Sequence, residues 1–466
     1  MAGKLKSILL NKLAAYVLLY LITLSLPISL SGQISNYSLG KEQFLDTLSK
    51  RTFNYFWELA GKQNGQVPDR WPNETFSSIA ATGFGLAAYI TGVEKGYITR
   101  KQAAERIYQT LLFLQNLPKG ASKSGVSGYK GFFYHFLDQK TGLRYDKVEL
   151  STIDTGLLMA GILCCLSYFD LPDDTETKIR MLATKLYEDV DWNWAMNKAN
   201  TMSMGWHPES GFIGNRWKGY NEGMILYILA LGSPTHPIPS ESWKAWVSSY
   251  VWKKHLGQEY VNFGPLFGHQ YSQIFIDFRG IQDSFMQAKG IDYFENSKRA
   301  TIANRQYCIY NPGAFTGYGD KMWGLSACDG PGNQNNIDNN IRFNDYGARG
   351  CAFGYIEDDG TITPTASGGS IPFLPYDCIN NLYTMYQQYG NKIFKKYGFI
   401  DAFNLSIQNK DGSTGWYDPD YLGLDQGPIL LQLENYRTEI IWNILKKNKY
   451  IIAGLKKAGF KGGWLK

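Results

Sequence analysis

Two stretches of this 466-residue chain have no polar side: Thr155–Leu166 (TGLLMAGILCCL) and Met224–Leu231 (MILYILAL). A helix without a polar face must be covered on all sides. Other helical segments are amphipathic. The segment 99–118 carries Arg100, Lys101, Glu105 and Arg106, and 174–197 carries Glu176, Lys178, Arg180 and Lys185. Helical periodicity recurs over about 41–60, 76–97, 99–118, 151–169, 174–197, 221–232, 239–252, 285–310, 371–394 and 427–447. Alternation of covered and half-exposed helices predicts an all-α chain in two concentric layers, an inner ring inside an outer one. Beyond Gln33 no low-complexity linker divides it, so a single domain over 33–466 is expected.

The connections between helices are long and rich in Gly and aromatic residues. Phe132–Leu137 (FFYHFL) reads as a strand, Asp138–Gly142 (DQKTG) as its turn and Leu143–Asp146 (LRYD) as the return. A second extended stretch runs from Ser203 to Trp217. Both lead into an apolar helix. Inner helices that run the same way gather their N-terminal ends at one rim, where such hairpins and loops build a cleft.

Composition narrows the function. With 19% charged residues the chain is neither disordered nor a coiled coil, and its 13 Trp, 32 Tyr and 25 Phe exceed what packing alone requires. Lys4, Lys6 and Lys12 precede an apolar run from Ala14 to Leu30, followed by the small residues Ser29, Ser31 and Gly32. That is the order of a secretory signal peptide over 1–32. An uncleaved membrane anchor is the alternative, and Pro27 with the small residues favours cleavage. The mature chain is therefore expected to be soluble, periplasmic or secreted, without a stable membrane anchor, and a monomer. The formal charge of +6 becomes +3 without those three lysines, and no Lys/Arg block remains. Nucleic acid is not an expected partner. Six cysteines occur without a C-x-x-C, and five histidines without H-E-x-x-H, a P-loop or a dinucleotide fingerprint. No metal or cofactor site is expected.

Carboxylates cluster where the apolar helices begin. Asp146, Glu149 and Asp154 precede or open the 151–169 helix, Glu222 opens the 221–232 helix, and Asp425 precedes a helix expected from Pro428. Around them stand Trp206, Trp217, Tyr220, Trp416, Tyr417 and Tyr436. Carboxylates among aromatic faces suit a glycosidase: one acid protonates the leaving oxygen, another carboxylate activates water or attacks, and rings stack on sugars. Each residue also has a structural reading. Asp154 stands at capping-box spacing from Ser151. Glu222 could complement the helix dipole, which would lower its pKa where a general acid needs it raised. Asp146 could be an exposed hairpin residue, and Asp425 a turn or cap. The clusters Gly268-His269-Gln270-Tyr271, Asp277-Phe278-Arg279 and Glu434–Arg437 could bind sugar hydroxyls, or form buried ion pairs between Asp277 and Arg279 and between Glu434 and Arg437.

The runs ELSTIDTG (149–156), YNEGMILYILALGSPTHPI (220–238), LFGHQYSQIFIDFRG (266–280), LSACDGPG (325–332), DGTITPTASGGSIPF (359–373) and LDQGPILLQLENYRT (424–438) resemble the bacterial glycoamylase-type domain, and within it the secreted endo-β-1,2-glucanases. The resemblance spans nearly the whole mature chain. It implies a single (α/α)6 barrel with a cleft at one rim, and inverting hydrolysis of linear β-1,2-glucan to short oligosaccharides without metal or organic cofactor. It places Glu222 as the general acid, with Asp146, Glu149 and Asp154 in the other acidic cluster. Domains of this type also occur in enzymes that make or remodel β-1,2-glucans. A glycan-binding protein would share the aromatics but normally carries a lipidation Cys. A lyase would be expected to carry more Lys/Arg.

Overall fold

In the computed structural model the described residues are 30–332, 343–409 and 411–466, with 30–39 described by backbone alone. The leader expected over 1–32 lies outside them, save for the backbone of its last three positions. The chain forms two units divided between Thr47 and Leu48. The helix Leu30–Leu59 contributes residues to both, and all that follows concerns Leu48–Lys466.

Six helices carry the core: α1 (Ile79–Glu94), α2 (Thr152–Tyr168), α3 (Met224–Gly232), α4 (Phe267–Phe275), α5 (Pro364–Gly368) and α6 (Gly423–Thr438). α1 packs on α2, α2 on α3, α3 on α4, α4 on α6, and α6 returns to α1. α5 packs on α6 and is tied to α4, where Gln270 Nε2 donates to Ala366 O at 2.9 Å. Half-exposed helices back them: Arg100–Asn116 on α1, Asp174–Glu188 on α2, Tyr293–Tyr310 on α4 and Pro375–Ile393 on α5. Covered and half-exposed helices thus alternate as their sequence patterns require. Among the described residues no helix is long and apolar enough to cross a membrane.

Glycine lets the inner helices touch backbone to backbone. A Cβ on Gly161 of α2 would lie 2.1 Å from Gly83 O, and one on Gly83 of α1 would lie 2.5 Å from Leu157 O. Neither contact leaves room for a side chain. α3 meets the helix Lys449–Lys457 in the same way, since a Cβ on Gly454 would sit 2.0 Å from Ile228 O. Ser78 and Ser151 cap α1 and α2, accepting N–H bonds from Ala81 and Asp154 at 3.2 Å each.

Several elements differ from expectation. α4 falls in a stretch read only as a polar cluster; its polar side chains hydrogen-bond inside the core, which hides the helical pattern. α6 begins at Gly423 and holds Pro428 inside it. Pro428 has no N–H for Leu424 O, and the Tyr271 hydroxyl donates there instead at 3.4 Å. Glu222 lies two residues before α3, not in its first turn. Phe132–Leu137 is not one strand: Phe132–Phe133 pairs with Gly128–Tyr129, while Phe136–Leu137 pairs with Ser77–Ser78. Only Leu137 and Arg144 bridge across the expected hairpin. The Ser203–Trp217 stretch does form a hairpin, Gly205–His207 with Gly211–Phe212. All sheets among the described residues have two or three strands, and they serve as loop scaffolding. All six cysteines are buried as free thiols.

Candidate active site

A cavity of about 180 Å³ opens where four inner helices begin. Ile153, Asp154 and Leu157 come from the start of α2, and Glu222 from the turn before α3. Phe267 and Tyr271 come from α4, and Leu424 and Asp425 from α6. His135, Ala327, Tyr346 and Leu422 complete the lining. Three carboxyl groups therefore face one apolar and aromatic chamber.

Glu222 is fixed by its backbone. Ser272 Oγ of α4 donates to Glu222 O at 3.0 Å and accepts the Ile225 N–H at 2.9 Å. Its Oε2 is buried without a hydrogen-bond partner among the described residues. Burial, reinforced by the charge on Asp154 and opposed by a backbone N–H, pushes its pKa up to about 7. Desolvation outweighs any lowering by the helix dipole.

Asp154 is buried in the first turn of α2. Its N–H donates to Ser151 Oγ, and the Ser151 hydroxyl donates back to its Oδ2. Ser151 caps the helix, and the Asp154 side chain holds that cap in place while lining the cavity. Its Oδ1 lies 3.6 Å from His135 Nε2, while His135 Nδ1 lies 2.9 Å from Glu149 Oε1. Burial works against the charged imidazole, but Asp154 and Glu149, with Asp69 further off, raise its pKa to about 9. Glu149 loses part of its proton affinity to this histidine, against the effect of burial. Glu149 touches His135 and lies outside the cavity lining. Asp146 is exposed at a left-handed turn position (φ 45°) and is also outside the lining.

Asp425 sits opposite on α6 and belongs to a second acidic group. Asp401 lies close enough to Asp425 for their charges to interact, and its Oδ2 accepts the Asp329 N–H at 2.7 Å. Oxygens of Asp329, Asp401 and Asp418 lie within 4.8 Å of one another. Arg70 pairs with Asp329 at 2.8 Å, Asp69 at 3.4 Å and Asp420 at 3.5 Å. One guanidinium does not neutralise so many carboxylates. Burial first, then mutual repulsion, raises Asp401, lifts Asp418 to about 9 and lifts Asp425 to about 6.

The other expected binding residues are not in the lining, Tyr271 excepted. Trp217 is buried and donates to Thr152 Oγ1 at 2.9 Å, which secures the start of α2. Tyr220 is buried against Tyr293 and His269. His269 is buried, faces Phe263 O at 3.2 Å and is driven down to about 4 by burial, so it stays neutral. Gln270 is spent on α5. Asp277 is held by Arg279 through two 2.7 Å bonds and by Lys446 at 2.6 Å, while Arg279 also meets Glu439 at 2.8 Å. Arg437 lies 3.6 Å from Glu434. Tyr436 and Arg437 stand at the far end of α6 from Asp425, about 17–18 Å along the axis at 1.5 Å per residue. Trp206 packs with Tyr129 and Trp194 in the β-hairpin, and Trp416 lies in the strand Thr414–Tyr417. Sequence reasoning missed His135, Tyr346, Asp329, Asp401 and Asp418. Only the FFYHFL and LSACDGPG runs hinted at two of them.

Residues 214–449 match the glycoamylase family, described as "Putative glucoamylase". A crystal structure from Bacteroides uniformis with the same description is 32% identical, covering 91% of this chain and 99% of that one, with a TM-score of 0.79. The chain belongs to the glycoamylase family. An endo-β-1,2-glucanase from Chitinophaga pinensis, solved with sophorotriose and glucose, is 30% identical over 91% of this chain and 99% of its own, with a TM-score of 0.79. An exo-β-1,2-glucooligosaccharide sophorohydrolase (non-reducing end) of Parabacteroides distasonis is 28% identical over 91% of this chain. The chain spans 58% of that relative's length.

Proposed function

We propose that the chain is a glycoside hydrolase that cleaves β-1,2-glucan internally, with Glu222 as general acid and Asp154 as general base. The carrying observation is Glu222, a buried carboxyl pushed up to about 7 in a cavity shared with Asp154 and Asp425. Carboxyl groups whose environments push their proton affinities apart can divide acid and base work. In this reading Glu222 gives its proton to the glycosidic oxygen as that bond breaks. Asp154 takes a proton from the water whose oxygen forms the new bond to C1 on the opposite face, which inverts the anomer. Asp425 accepts a sugar hydroxyl, and Phe267, Tyr271 and Tyr346 offer ring faces. The linkage preference is supported by the two β-1,2-active relatives. The returning sequence of inner-helix contacts, with α5 as its sixth member, supports an (α/α)6 barrel. Secretion or periplasmic residence is proposed from the leader pattern alone.

A panel of glucans tests this. Linear β-1,2-glucan should yield a ladder of short oligosaccharides with the inverted anomer formed first, while starch and cellulose stay intact. Comparable hydrolysis of starch would overturn the assignment. An exo-acting alternative is favoured by the Parabacteroides relative, and release of sophorose alone would select it. Chain-length redistribution without new reducing ends would instead indicate transglycosylation.

A further inference from the structure

His135 commits both ring nitrogens to carboxylates, Nδ1 at 2.9 Å from Glu149 Oε1 and Nε2 at 3.6 Å from Asp154 Oδ1. Both nitrogens carry protons only in the imidazolium. The ring is held from other sides as well. It stacks on Phe136 with centroids 3.9 Å apart, its N–H donates to Glu149 O at 2.9 Å, and its carbonyl accepts the N–H of Ile79 at the start of α1 at 3.4 Å. The charged groups that face it are Glu149 from the segment before α2, Asp154 from α2 itself and Asp69 from the bend before Arg70. Beyond these, His207 faces Glu149 and Glu222 faces Asp154. Of the two carboxylates that His135 touches, only Asp154 lines the cavity.

We propose that His135 is a positioning residue: an imidazolium clamped between Glu149 and Asp154, it sets a positive charge beside Asp154 and aims that carboxyl group into the cavity opposite Glu222. The proposal rests on the hydrolase reading above and assigns a residue that acts through Asp154 rather than on substrate. Without the clamp, Asp154 and Glu222 would be two facing carboxyl groups competing for one proton. The acid and base roles would then no longer be separate.

Two variants and one spectroscopic probe test it. His135→Gln keeps a donor but no charge, and Glu149→Gln keeps the imidazole but removes its anchor. Ring NMR of the full chain should find His135 protonated well above the usual histidine range, near its raised value of about 9. Glu149→Gln should lower that titration by at least about one pH unit. On β-1,2-glucan, His135→Gln should cut kcat by about 10–100-fold on the acid side of the optimum, with KM within about threefold, because the acid limb moves to higher pH. A kcat loss that is uniform across pH would make His135 a packing residue and overturn the proposal. So would a wild-type ring that titrates in the ordinary histidine range. If wild-type protein leaves β-1,2-glucan intact, the hydrolase reading fails, and the ring titration still decides whether the clamp exists.

Discussion

The two ends of the inner helices both bury carboxylates, yet they treat them in opposite ways. At the N-terminal ends, Glu222 faces Asp154 without a cation of its own, and Asp425 faces Asp401. Just past the C-terminal end of α4, Asp277 meets Arg279 and Lys446 at 2.7 and 2.6 Å. Near the end of α6, Glu434 meets Ser49 at 2.7 Å, Arg437 at 3.6 Å and Lys95 at 3.9 Å. The pKa of Asp277 is lowered, against burial, by these hydrogen bonds, whereas that of Glu222 is raised to about 7. Burial pushes both upward, and the partners of Asp277 reverse the sign. A charge at a helix N-terminus gains about 0.3–1 kcal/mol from the dipole. The rise of Glu222 from 4.5 to about 7 corresponds to about 3 kcal/mol at 1.36 kcal/mol per pK unit, which decides the direction. A paired carboxylate is a strut, and an unpaired one beside another carboxylate is a proton reservoir.

The contrast is broken or sharpened first by Glu222→Gln. Loss of the transferable proton should lower kcat on β-1,2-glucan by about 10²–10⁴-fold. Thermal stability at pH 8 should hold or rise, because a buried ionisable group is gone. Asp277→Asn should do the reverse. Arg279 and Lys446 then keep only Glu439, and the loss of charge-assisted hydrogen bonds should cost about 1.5–3 kcal/mol in chemical denaturation, with kcat within about twofold of wild type. If Asp277→Asn instead abolished activity in a stable protein, the distinction between the two ends would collapse. Gly161→Ala, which touches neither end, should cost about 1–3 kcal/mol by forcing α1 and α2 apart.

The smallest effect is on the pH dependence of stability. Glu222, Asp425 and Asp418 have folded pKa values of about 7, 6 and 9, above their usual ones, so the folded state holds protons that the unfolded chain releases. His135 acts in the same direction. Their contribution is lost as pH rises from about 4 towards 9. Asp277, with its lowered value, is lost only as pH falls below about 4. Differential scanning calorimetry should therefore show Tm dropping by a few degrees between pH 6 and 9. The drop should be smaller in Glu222→Gln and unchanged in Asp277→Asn.

α2 and α3 were legible as covered helices because apolarity without a polar face has one structural solution, and the acidic residues near their starts came with them. α4 and α5 carry no such run and were not read as helices, and α6 begins at Gly423, ahead of the start expected at Pro428. The polar clusters were legible in part: the ion pairs of Asp277 with Arg279 and of Glu434 with Arg437 are present, whereas nothing in one dimension shows that Gln270 and His269 already have protein partners. His135 and Asp401 escaped notice because their partners lie 14 to 24 residues away or on another segment altogether. Asp146 was drawn in by sequence proximity to Glu149 and Asp154, but a left-handed turn puts it in solvent.

The central claim is that Glu222 stays protonated in a site built to raise its pKa. The most direct measurement is kcat/KM on β-1,2-glucan as a function of pH, for wild type and Glu222→Gln. The account predicts a fall in wild-type activity through about pH 7, set by Glu222, and no such fall in the residual activity of the variant. Wild-type activity that is level from pH 6 to 9, or the same alkaline limb in Glu222→Gln, would contradict it.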